Sequence, residues 1–236
     1  MKKAFPILAL LTLILLGYAG YMALSPNGAP TEQTMGNVQR IFYYHVPSAW
    51  CAFLLFFINF GASIYYLIKR SQAADIVALV SAEVGVVFCT IVLITGPIWA
   101  RPVWGIWWTW DMRLTSTLLL WLIYVSYLFL RRFSSSGQTA ALAAALAVFG
   151  ALCVPFVYFS IWFFRTQHPQ PVLGGGGSID PRMLHVLLLN WLAFSCFGFL
   201  VCWARYRVEK LQRDVDEAHA MRSLMDLRNP RQQRSA

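Results

Sequence analysis

Six stretches of this chain are long and apolar enough to cross a bilayer, and no other feature limits its fold as severely. A spanning helix needs about 20 apolar residues, and within hydrocarbon its backbone must satisfy its own hydrogen bonds. The stretches cover residues 4–24, 48–68, 76–98, 115–130, 139–162 and 183–203. Only 12% of the residues are charged, against roughly a quarter in an ordinary soluble domain. Connections are short and no internal repeat interrupts them. The pattern predicts an all-α integral membrane protein, a six-helix bundle over 1–203, followed by a basic and partly helical tail over 204–236.

The formal net charge of +9 would suit nucleic acid, so its placement decides what it means. Fourteen of the nineteen Lys and Arg residues fall on one side, counting Lys2, Lys3, Lys69, Arg70, Arg131, Arg132 and those after Trp203. Arg40, Arg101, Arg113, Arg165 and Arg182 fall on the other. Basic loop residues are retained in the cytoplasm, so both termini are expected there and the charge records orientation, with no nucleic-acid partner. A cleaved signal peptide is the competing reading of residues 1–25, but the apolar run exceeds the usual 7–15 residues, which favours a retained span. Cys51, Cys89, Cys153, Cys196 and Cys202 all lie in apolar segments without C-x-x-C or C-x-x-C-H spacing. They read as buried thiols, which excludes a zinc site or covalent haem attachment in this chain.

The outward loops, 25–47, 99–114 and 163–182, hold the chemistry. Trp99, Trp104, Trp107, Trp108 and Trp110 crowd into twelve residues, beyond the one or two per helix end that an aromatic belt explains. On a short interfacial helix Trp104, Trp107, Trp108 and Asp111 would share one face at i, i+3, i+4, i+7. Such a shelf suits a large, flat, apolar ligand. His45 and His168 stand on the two flanking loops. Pro47 biases Val46 toward an extended conformation, which would place His45 outside the helix start, and His168 precedes Pro169. Either histidine alone reads as a surface residue. Two of them beside an aromatic shelf fit the axial ligation of haem iron, with Arg101, Arg113 and Arg165 as partners for the propionates. Arg40 and Arg182 read as interfacial anchors.

The run W-G-x-W-W-x-W-D-x-R-L-T, here Trp104, Gly105, Trp107, Trp108, Trp110, Asp111, Arg113, Leu114 and Thr115, resembles the tryptophan-rich haem-handling motif of the cytochrome c assembly family. With "YHVPSAW" and six spans, the likeness extends over nearly the whole chain to the family's System I haem-export branch. The resemblance implies that His45 and His168 are axial ligands of a transient, non-covalent haem b, and that the loop from Trp104 to Asp111 contacts it. It also implies delivery of haem to a periplasmic haem chaperone, CcmE, within an ABC-type complex with CcmA, CcmB and the small membrane protein CcmD, in the bacterial inner membrane. The site would face the periplasm. Phe163 and Phe164 stand where the family often has two tryptophans, so the match around His168 is looser.

Two other functions compete. A cytochrome c synthase-type haem lyase would be an enzyme, and a b-type cytochrome anchor would serve a quinone oxidoreductase, but both call for paired histidines inside the spans. His185 is alone near the outward end of the last span and reads as packing. Glu83, the only carboxylate deep in a span, stays unassigned. No G-x-x-x-x-G-K-[ST] is present, so the chain is expected to be a binding and transfer subunit, with ATP hydrolysis left to a partner. The glycines at 174–177 read as a flexible segment near His168, and Val208, Leu211, Val215, Leu224 and Met225, set among charges at roughly helical spacing, read as an amphipathic tail helix with Pro230 marking its end.

Overall fold

The computed structural model describes residues 4–134, 136–171 and 179–228. Six α-helices carry the fold: α1 (Ala4–Leu24), α2 (Phe42–Lys69), α3 (Gln72–Trp104), α4 (Met112–Phe133), α5 (Thr139–Phe163) and α6 (Pro181–Arg228). Each is long and apolar enough to span a membrane. No strand forms among the described residues, and the protein is an all-helical, multi-pass membrane protein. The glycine run at 174–177 and Pro230 lie outside the described residues.

Lipid is as apolar as leucine, so burying apolar side chains gives helices little reason to associate, and close backbone approach takes over. α2 and α3 form the most extensive pair, and a Cβ added at Gly85 of α3 would meet the Phe56 ring at 2.7 Å. α4 and α5 meet the same way at Gly150, where a Cβ would come within 2.9 Å of Ile123. Ala143, Ala144, Ala147 and Ala151 of α5 are buried as well. Side-chain amides add hydrogen bonds between helices: Asn59 Nδ2 donates to the Ala78 carbonyl at 2.7 Å, and Asn190 Nδ2 to that of Ala19 at 3.2 Å. The five cysteines are free thiols.

Two expectations fail here for identifiable reasons. His45 lies inside α2, which begins at Phe42 and is fed by a 3-10 turn at Asn37–Ile41. Pro47 sits in the second turn of that helix, buried, where the loss of one backbone donor is tolerated. The Trp-rich stretch is not an interfacial helix. α3 stops at Trp104 because Gly105 adopts the left-handed conformation (φ 79°) and its N–H returns to the Arg101 carbonyl, a helix stop that glycine makes without steric cost. Residues 105–110 are irregular, so Trp107, Trp108 and Asp111 do not continue one helical face with Trp104.

Candidate functional site

The chain ends of α2, α3 and α4 that carry the three long loops enclose a cavity of about 380 Å³, within the roughly 300–1,000 Å³ usual for small-molecule sites. His45 enters from α2, Trp99 and Trp104 from the last turns of α3, Trp108 from the irregular loop, Arg113 from α4 and His168 from the loop after α5. Six sequence-selected residues thus share one enclosure. Trp107 and Trp110 point outward, 58% and 77% exposed, although Trp110 packs edge-on against Trp108 at 5.8 Å. Arg101 and Arg165 are exposed and do not line the cavity. Arg101 instead donates to the Gly105 carbonyl, closing the end of its own helix. His185 lies exposed on α6, away from the cavity.

Hydrogen bonds fix which nitrogen of each imidazole is free. His45 Nδ1 lies 2.8 Å from Thr95 Oγ1, and the Thr95 hydroxyl proton is already committed to the Ile91 carbonyl at 2.7 Å. The hydroxyl can therefore only accept from the ring, so Nδ1 carries the proton. His168 Nδ1 lies 2.8 Å from the Pro169 carbonyl, which is an acceptor only, and the same tautomer follows. In both residues Nε2 retains a lone pair. A metal-binding imidazole characteristically gives its other N–H to such a partner, which orients the ring and raises its basicity. Burial, reinforced by the nearby Arg113 guanidinium, pulls the His168 imidazolium down to about 4, so the ring is neutral at neutral pH.

Asp111 lies behind the wall as a bracket. Its carboxylate caps α4 by accepting the Leu114 N–H at 3.0 Å and accepts the Thr166 hydroxyl at 2.7 Å and that of Thr109 at 3.2 Å. Thr166 Oγ1 in turn accepts the His168 N–H at 3.0 Å. One carboxylate thereby ties the tryptophan loop, the start of α4 and the His168 loop together. Partial burial raises its pKa, but these hydrogen bonds outweigh that and hold it below the usual carboxylate range.

Two kinds of group around the enclosure are short of polar partners. The indole N–H groups of Trp99 and Trp108 are buried without a hydrogen-bond partner among the described residues, and each such donor costs about 1–3 kcal/mol. Among the described residues Arg113 donates only to the Val157 and Tyr158 carbonyls, at 3.5 and 3.2 Å, and forms no ion pair. Aromatic walls, two imidazole lone pairs and one guanidinium match an iron porphyrin with carboxylate side chains. Among the described residues no group of three or more His, Cys, Asp or Glu could hold a bare metal ion.

The family described as heme exporter protein C (CcmC) matches residues 1–221 of this chain. The chain belongs to the heme exporter protein C family. It is 35% identical to heme exporter protein C of Bradyrhizobium diazoefficiens over 94% of this chain and 84% of that one. It is 32% identical to the protein of the same name in Haemophilus influenzae, over 90% and 87%. A putative cytochrome c biosynthesis ccmC-like mitochondrial protein of Marchantia polymorpha is 32% identical over 79% and 81%. Membership gives the chain its coarse function, haem handling and export in cytochrome c maturation by a transport subunit.

For a heme exporter C protein the sequence leaves several wall residues unmarked. Glu32 and Met35 line the cavity from the loop after α1, with the Glu32 carboxyl held below its usual range by hydrogen bonds from the Met35 and Thr34 amides. Gly96 faces the His45 ring, where an added Cβ would lie 3.5 Å from Cε1. Thr95 and Thr166, which set the two histidines, carry no motif at all. Asp111 did carry a signal as a helix cap, because it stands directly before an apolar helical run.

Proposed function

We propose that this chain holds haem in the cavity between α2, α3 and α4, with His45 and His168 as the two axial ligands, and releases it to a periplasmic haem chaperone of the CcmE type. The observation that carries the reading is the shared tautomer: two histidines from separate elements line one cavity, and each has Nδ1 engaged and Nε2 free. Trp99, Trp104 and Trp108 would bound the porphyrin plane, with Arg113 serving its carboxylates. Arg101, Arg165, Trp107 and Trp110 are exposed, and a chaperone presenting or receiving haem would meet them. Bound in this way haem supplies a coordination centre whose two ligands differ in support, His45 on a helix and His168 on a loop. The haem is b-type and stays non-covalent.

The excess of basic residues on the tail side supports an orientation in the bacterial inner membrane with both termini cytoplasmic and the site periplasmic. The missing nucleotide motif supports a complex in which CcmA and CcmB provide the ATP-driven step and CcmD joins this chain. The test is delivery. Membranes holding the chain with CcmE and CcmD are loaded with haem, and haem reaching CcmE is measured. His45→Ala and His168→Ala are each expected to abolish delivery at unchanged protein levels, and wild-type delivery by both variants would refute the ligand assignment.

A further inference from the structure

Side chains join α2 to α6 in the halves of these helices nearer His45. There the Trp50 and Trp191 rings meet edge-on at 5.4 Å, Tyr44 and Phe194 pack at 6.3 Å, and Cys51 Sγ lies 3.7 Å from Ser195 Oγ. Beyond these contacts, toward the tail, a groove of about 470 Å³ opens between the two helices, with residues 77–88 of α3 contributing its floor. Leu54, Ile58 and Phe199 on its walls are exposed, so it opens sideways to the bilayer. Along its depth the lining is apolar, and its serine hydroxyls are engaged: Ser81 donates to the Val77 carbonyl at 2.7 Å, and Ser195 meets Cys51. Nothing there would serve the polar edge of a ligand.

Its length is that of one leaflet. Residues 194–206 of α6 cover about 18 Å and residues 77–88 of α3 about 17 Å at 1.5 Å per residue, against roughly 15 Å for half of the hydrocarbon. Trp203 and Tyr206 stand at its tail-side end, as aromatic residues do at a membrane–water boundary. A dry seat that opens to lipid, starts at the boundary and closes near the middle of the membrane suits an acyl chain, which is narrow and ends there. A helix fits poorly, whether from another protein or a second copy. It is about 10–12 Å wide with its side chains, it must continue through both leaflets, and the contact of Trp50 with Trp191 stands in its way.

Both walls run on to a cation. Lys210 follows Tyr206 by one turn on the same side of α6, and Lys69 follows Ile58 by three turns on the same side of α2. Each is exposed and without an ion-pair partner among the described residues. The nearby carboxylates do not cancel them: Glu209 is taken up by Arg205 and Arg213, Asp75 by Arg131 and Arg213, and Glu83 by Arg205. Asp214 stands one turn farther from the groove. Exposed Arg70 and Arg207 add to the positive field. A zwitterionic headgroup would bring its own cation to this mouth, so an anionic one is favoured. We infer that the groove between α2, α3 and α6 binds one anionic phospholipid of the tail-side leaflet, an acyl chain lying along α3 and the phosphate served by Lys69 and Lys210. The seat does not depend on haem.

The test uses the full chain in phosphatidylcholine nanodiscs holding a trace of phosphatidylglycerol with a diazirine at the end of one acyl chain. Adducts mapped by mass spectrometry are expected at Leu54 and Phe194, well above those at Leu152, an exposed residue of α5. The matching phosphatidylcholine probe should label the groove about tenfold less, and Lys69→Ala with Lys210→Ala, which alters exposed residues only, should cause a similar loss. Cys202→Phe, which fills the groove, should remove the adducts at Leu54 and leave those at Leu152. Equal labelling by the two probes, no excess over Leu152, or no response to either variant would overturn the inference. In native membranes a photoreactive residue at Ile58 should give lipid adducts, and adducts to a helix of another protein or of a second copy would also overturn it. No readout involves haem, so failure here and failure of the haem reading are distinguishable.

Discussion

The two ends of the bundle treat their charged groups in opposite ways, while buried side-chain atoms without a hydrogen-bond partner occur toward both, Ser63 and Tyr127 toward the tail and Trp99 and Trp108 toward the cavity. At the tail end Asp75, Glu83, Arg131, Arg205, Glu209 and Arg213 satisfy one another in a continuous network across α3, α4 and α6. At the cavity end two indole N–H groups have no partner among the described residues, Arg113 touches only carbonyls at 3.2–3.5 Å, and both histidines keep a free lone pair. Buried polar groups are ordinarily paired, and those left open need an explanation. The closed network is architecture, and the cavity end is the haem site of the function proposed above. Substitutions at the two ends should therefore separate stability from haem retention.

The largest effect belongs to the closed end. Asp75→Ala leaves Arg131, whose side chain is only 10% exposed, without its carboxylate, and breaking a buried pair from one side costs about 3–5 kcal/mol. Thermal unfolding in detergent should fall sharply, while haem bound per folded molecule stays at the wild-type level. A parallel loss of haem affinity would mean the ends are not separable.

At the open end, Thr95→Val keeps the shape and removes the acceptor for His45 Nδ1. Loss of such an orienting partner costs roughly 10- to 100-fold in metal affinity, with little change in stability, and Thr95→Ser should recover most of it. Haem titration followed by absorbance gives both numbers. An equal deficit in the valine and serine variants would show that Thr95 acts through packing alone.

The smallest effect has an unusual sign. Trp108→Phe deletes a buried donor that has no partner without cargo, so the haem-free protein should gain up to about 1 kcal/mol while haem is held less tightly. Stability and affinity moving down together would place Trp108 with the ordinary packing residues.

How far the sequence reached can be judged from these same residues. Spans were legible because lipid demands one continuous apolar helix per crossing, and all six appear with shifted ends. The shifts have causes. Pro47 suggested a helix boundary, yet a 3-10 turn leads into α2 ahead of it and brings His45 into the helix. Gly105 was legible as part of a motif, but its more elementary meaning, a left-handed stop after Trp104, decides that the tryptophans do not form one helical face. His45, His168, Trp99, Trp104, Trp108 and Arg113 line one cavity. Thr95 and Glu32 were hidden, because a threonine inside a span or a glutamate in a loop has no periodicity, and only the crossing of α2 with α3 gives the threonine its partner. Glu83 was visible as an anomaly and became intelligible once α6 brought Arg205 beside it.

The most direct measurement is the low-temperature electron paramagnetic resonance spectrum of the ferric haem-loaded protein. Two imidazole ligands predict a low-spin signal in the wild type that His45→Ala and His168→Ala each convert to high spin, with external imidazole restoring the original spectrum. A low-spin signal unchanged in either variant would contradict coordination by this pair.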